Sequence, residues 1–424
     1  MSDSQGPANE RPTSSRPLIS STPLDWKSLL TTIGPSLDAR KLILASLGIL
    51  MTWAGFMALD LPFRKVRDVA PFAPSIEIGR GPLPGALIVP RQMQDRFNPR
   101  EWNRNIRLPG KPSLPGDKDV NLVDSLHESA GLAIEPVSTI TKPFRALFSL
   151  EPGALPFLHS VLGTIWVVFV WGLIGGAIAR NAVVEASGGE RIGVMTSIRF
   201  ARSKQFSLTF APFFPLGVIV LCALACGLLG LLYRIPGPIG ATIAGVLLFL
   251  PLIAGILIAL ILLGLFLSWP LMILTVAAEG EDVFDAVSRG YAFATRRIAR
   301  YAFYLAIAWI VGTIGLIFTT FLARLAVHFA EWSLSWGASV ERLSVPFNRF
   351  AQDDSTSPSN GIHHAWLWLV GLIAHAWIYS YFWTAFARIY LLLRFEIDGT
   401  PTHDVYHPSH EGDVFAPEKA GGET

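Results

Sequence analysis

Apolar runs of about twenty residues, separated by short charged stretches, set the pattern of this chain. A run of that length is what a helix needs to cross a hydrocarbon core about 30 Å thick. Five runs are plain: 41–59, 155–178, 206–233, 302–327 and 365–387. The remaining one sits inside Ile235–Ala278, 44 residues without a charged side chain, closed by Arg234 on one side and by Glu279, Glu281 and Asp282 on the other. Two crossings would leave about four residues for a turn, and the middle of the run, Pro251–Leu260, holds no polar residue that would surface in water. One span, 243–269, is expected. Its 27 residues make a helix of about 40 Å, which must tilt. Pro270 then breaks or bends it, and 271–278 continues along the interface.

Charge supports one crossing and orients the bundle. With six spans, one side collects Arg11, Arg16, Lys27 and Arg40, then Arg180, Arg191, Arg199, Arg202 and Lys204, then Arg289, Arg296, Arg297 and Arg300. The opposite short loops hold Arg234, Arg342 and Arg349. The positive-inside rule places the first set in the cytoplasm, with both termini. The sequence therefore predicts an all-α polytopic bundle of about six transmembrane helices. Its first span is a retained anchor.

The polar stretches have distinct characters. Residues 1–40 form a cytoplasmic tail, disordered over 1–23, with 24–30 resting on the membrane surface. The 60–154 stretch holds 13 of the 30 prolines and reads as a long Pro-rich extracytoplasmic loop. Its last part, with Ile134, Val137, Ile140, Phe144, Leu147 and Phe148 at helical spacing, is expected to be an amphipathic helix on the membrane. The membrane core spans 155–393 and includes two cytoplasmic amphipathic segments, 182–205 and 279–301. In the second, Val283, Val287, Tyr291, Ala294, Ile298 and Tyr301 form one apolar stripe, and Asp285 is placed to pair with Arg289. Residues 353–360 read as a flexible loop, and 394–424 as a cytoplasmic tail with a turn at Asp398-Gly399.

Composition narrows the chemistry. Charged residues are 16% of the chain against about 25% for soluble domains. The net charge of +2 and the absence of a basic cluster interleaved with aromatics exclude nucleic-acid binding. The two cysteines, Cys222 and Cys226, lie inside a span and build no disulfide framework. No carboxylate falls within a predicted span, no phosphate loop or hydrolase motif occurs, and no catalytic set, cofactor site or metal site is assigned. His403, His407 and His410 are spaced for a metal only if helical, and Pro401 and Pro408 interrupt them.

Three groups of residues stand out. His375, near the middle of the last span, is a candidate intramembrane polar site with Tyr379 and Ser380, and Thr319 is a further partner. Arg199, Arg202, Lys204, Arg289, Arg296, Arg297 and Arg300 are candidate contacts for anionic lipids or a partner. Gly172, Gly176, Ala223, Gly227 and Gly230 are spaced for close helix packing. For each, a structural role is the plainer alternative.

The stretch Trp171-Gly-Leu-Ile-Gly-Gly-Ala-Ile-Ala-Arg180, together with Trp269-Pro-Leu-Met272, Ala278-Glu-Gly280 and Asp285-Ala-Val-Ser-Arg289 leading to Tyr291, resembles a family of uncharacterised bacterial multi-pass inner-membrane proteins. The Asp-Ala-x-Ser-Arg piece is more distantly similar to membrane domains found beside glycerophosphodiester phosphodiesterases, without that enzyme's catalytic set. The resemblance implies architecture and location and carries no activity. The function expected is a non-enzymatic scaffold or accessory subunit, with a membrane-protein partner or a homo-oligomer. A permease or channel for a small or lipid-like molecule is the alternative, and a lipid-modifying enzyme ranks below both.

Overall fold

The structure, a computed structural model, describes residues 24–63, 72, 133–148, 153–235, 238–337 and 358–406. The predicted tail 1–23, most of the Pro-rich loop, residues 353–357, His407 and His410 lie outside them. Every regular element among the described residues is helical. A short helix α1 (Ile33–Ser36) precedes α2 (Ala39–Phe63), and α3 (Glu135–Ala146) leads to α4 (Ala154–Ala186). Then come α5 (Val194–Ser203), α6 (Gln205–Gly230), α7 (Pro238–Val246), α8 (Phe249–Glu279), α9 (Val283–Arg296), α10 (Ile298–Ser335) and α11 (Pro358–Asp398). Six of these, α2, α4, α6, α8, α10 and α11, are long and apolar enough to cross a membrane.

The charge-free run divides into α7 and α8, and among its described residues α8 is the one crossing helix. Pro270 does not break α8, which continues through 271–278, and all eight of those residues are buried against neighbouring helices. A proline is tolerated inside a membrane helix when neighbouring helices wrap the freed backbone, and α4, α9 and α11 all pack on α8. The helix stops at Gly280 (φ +70), whose N–H closes on the Val276 carbonyl at 2.9 Å. That left-handed cap suits glycine.

The central element is α4, which touches α2, α3, α5, α6, α8 and α11. Its glycines permit this. A side chain at Gly175 would meet the Trp383 ring of α11 at 2.5 Å, and one at Gly176 would meet Leu208 of α6 at 2.7 Å. The helix also runs past its predicted end, so Arg180 is buried inside it.

Three segments expected at the membrane surface each pack one face against neighbouring helices. The 24–30 segment forms a 3-10 turn (Trp26–Thr31) whose Leu29 is fully buried, and it packs on α10 and α11. Helix α3 lies against α4 and α11 with Pro136, Ile140 and Pro143 buried. The 279–301 segment is two helices, broken at Arg297 (φ −134, ψ 53). Its buried face is Ala286, Gly290, Phe293 and Ala294, while Ile298 of the predicted stripe is 56% exposed. Residues 358–360 of the predicted loop already belong to α11.

Candidate functional site

Helix α11 carries an unusual line of polar side chains for an apolar bundle: His375, Tyr379, Ser380, Thr384 and Arg388. His375 and Tyr379, four apart, share one face, while Ser380, Thr384 and Arg388, at steps of four, lie on the opposite one; all but Arg388 are buried. His375, 8% exposed, sets its Nε2 3.1 Å from Glu135 Oε1 of α3. The Tyr379 ring meets the imidazole edge to face, and its hydroxyl donates to Thr139 Oγ1 at 3.1 Å. On its other side Tyr379 stacks on Trp171 of α4, ring centroids 4.5 Å apart. His375 Nδ1, Glu135 Oε2 and Trp171 Nε1 are buried without a hydrogen-bond partner among the described residues. Buried polar groups left so are few in folded proteins and are where water or a ligand is to be expected.

The opposite face of α11 meets a second acid–base pair. Ser380 turns away from His375 and donates to the Ser36 carbonyl at 2.7 Å, and Thr319 bonds within its own helix. Neither is the partner predicted for His375. Thr384 Oγ1 lies 3.5 Å from the ammonium of Lys41, which is fully buried and reaches Glu185 Oε2 at 2.5 Å. Glu185 also faces Arg191 at 3.0 Å. Arg388 then clamps the N-terminal segment through the Ser28 carbonyl and the hydroxyls of Thr31 and Thr32.

The same end of the bundle is closed by a charged network. Glu279, the last residue of α8, receives Arg289, the Tyr390 hydroxyl and the buried Arg394. Arg289 also holds Glu281 at 3.1 Å, so the expected Asp285–Arg289 pair does not form. Burial raises the Glu281 carboxyl above its usual range, and Arg289 pulls the other way. Burial likewise pushes the Tyr291 phenol up to about 12. Arg296, Arg297 and Arg300 face Asp398 and Glu396 at the end of α11. Residues 399–406 return across this end. Arg394 donates to the carbonyls of Pro401 and Asp404, and Arg180 donates to those of Ala277 and Tyr406 while lying over the Phe200 ring.

Of the basic candidates, four are thus engaged within the chain. Arg199 and Arg202 stay exposed on α5 without an ion pair among the described residues, and Lys204 sits 5.5 Å from the Tyr406 ring. Of the packing candidates, Gly172 and Gly176 face α6, but Ala223 is exposed and Gly227 and Gly230 border open space. His403 is exposed. Sequence reading missed the partnership of Glu135 with His375 and of Lys41 with Glu185. Nothing in the local pattern pointed to either pair, since 240 and 144 residues separate the partners.

Much of what carried the family resemblance serves the architecture. Trp171 stacks, Gly175 and Gly176 admit neighbours, and Arg180, Glu279 and Arg289 tie the charged end. The fold defines an all-helical, multi-pass membrane protein. Comparison with known proteins goes no further, since no protein-family model, curated protein or solved structure matches the chain.

Proposed function

We propose that the protein is a non-enzymatic membrane scaffold or accessory subunit, with the α6–α8 hairpin as the arm that holds another membrane protein. One observation carries this reading. Over an 18-residue apolar stretch, 6% of the α6 span and 11% of the α8 span is buried, against 61% for α4 and 78% for α11. The hairpin is rooted where Leu208–Pro215 and Leu265–Ala278 enter the core, and beyond that it projects. On the projecting part Gly227, Gly230, Gly245 and Gly255 meet nothing where a side chain would stand. Exposed small residues along a membrane helix let a second helix approach closely, and packing drives such association.

In this reading the charged end faces the cytoplasm of a bacterial cell, as the positive-inside rule directs. Arg199 and Arg202, left over after the internal pairs are made, face anionic headgroups there. Affinity purification in a mild detergent tests the proposal. The protein should retain a stoichiometric membrane partner, or a second copy of itself, and Gly227→Trp should release it while leaving the melting temperature unchanged. A chain that purifies alone and monomeric in several mild detergents sinks the idea.

A further inference from the structure

We propose that the groove under residues 399–406 is a docking site for the motif Asp-Val-aromatic-x-Pro, with residues 413–417 of the same chain as its second occupant. The inference is separate from the contact-arm reading, and either can fail alone. It rests on a repeat in the tail. Asp404-Val405-Tyr406-His407-Pro408 recurs nine residues on as Asp413-Val414-Phe415-Ala416-Pro417. The first copy is seated as far as Tyr406, and the second lies beyond the described residues.

The seated copy shows how the groove recognises it. Gly399 (φ +70) turns the chain back after α11. Of the side chains at 401–406, Val405 alone is buried. The Tyr406 ring lies against Gly280, where an added Cβ would meet it at 3.0 Å, with the Phe200 ring at 6.4 Å and the Lys204 ammonium at 5.5 Å. The hydrogen bonds go to the backbone. Tyr406 N–H donates to the Ala278 carbonyl, and the buried Arg180 and Arg394 donate to the carbonyls of Tyr406, Pro401 and Asp404. Every sequence offers such carbonyls, so the side chains that fill the pockets decide which peptide fits. Nine residues on, His410, Asp413 and Phe415 carry the equivalent carbonyls, and Val414 and Phe415 stand where Val405 and Tyr406 do. An empty groove would strip two buried guanidiniums of three acceptors, a costly state, so one copy replaces the other. Seating the second copy leaves 399–412 as a loop of 14 residues, and loop closure costs little more as length grows. The exchange exposes one copy of the motif while the charged end of the bundle stays closed.

The test uses the full chain in a mild detergent, with Cys222→Ser and Cys226→Ser, and a short bismaleimide. Lys204→Cys with Phe415→Cys reports the second copy in the groove, and Lys204→Cys with Tyr406→Cys reports the first. Val405→Asp puts a charge where an apolar side chain is buried, and should raise cross-linking between positions 204 and 415 within one chain at least about tenfold. Tyr406→Ala, which keeps Val405, should raise it too, and adding Val414→Asp to either should abolish the gain. In the chain without added cysteines, Val405→Asp should lower the melting temperature less than Val405→Asp with Val414→Asp. The proposal is overturned if neither opening variant raises the cross-link, if the product joins only two different chains, or if the single and double variants melt alike.

Discussion

Arg289 has two kinds of acid within reach, Asp285 one turn back on its own helix and Glu279 across the cap at Gly280, and it takes the second. A pair along a solvated helix is worth a few tenths of a kcal/mol. Glu279 is different, because its carboxylate is the counter-charge of Arg394, 2% exposed. Leaving such a charge buried without its partner costs about 3–5 kcal/mol. Glu279→Gln should therefore lower stability by about that amount, seen as a fall in melting temperature in detergent, while Arg199→Gln leaves it in place. At this scale the sequence showed which side chains were unusual and left their partners open. His375 stood out by its position alone, but Glu135 lies 240 residues away on a helix that reads as a surface element.

Helices are the scale at which the sequence was most legible. Twenty apolar residues need every backbone group bonded internally, and a helix does that whatever surrounds it. Each of the five plain runs became one long helix, and the ambiguous run became one crossing helix preceded by a short one. The misreadings concern faces and ends. Small-residue spacing occurs on both α4 and α6, yet of these two helices only α4 has glycines that border a neighbouring helix. At Gly55 an added Cβ would meet the Trp166 ring at 1.8 Å, whereas at Gly227 it would meet nothing within 4 Å. Gly55→Ala should cost about 1–3 kcal/mol by overpacking, and Gly227→Ala should leave the melting temperature unchanged. Equal losses from both would mean that the hairpin is packed along its full length within the chain.

The whole molecule is held at its charged end by the return of 399–406. Tyr406 N–H donates to the Ala278 carbonyl at 2.8 Å, and three backbone carbonyls of the segment accept from the buried Arg180 and Arg394. Hydrogen bonds to charged groups contribute about 1.5–3 kcal/mol each. A chain ended after Asp398 should thus melt well below the full chain, and an unchanged melting curve would show that the segment adds nothing. Taken alone, the sequence determined the class, the number of spanning helices and the concentration of basic residues at one end. Those features follow from hydrophobic length and charge, which act locally and do not depend on neighbours. Only the tertiary structure decided which polar groups meet, which glycines are covered and which arginines are left free. Each of those depends on segments far apart in the chain being brought within a few ångströms, and in an interior of apolar helices many arrangements satisfy the same hydrophobic pattern.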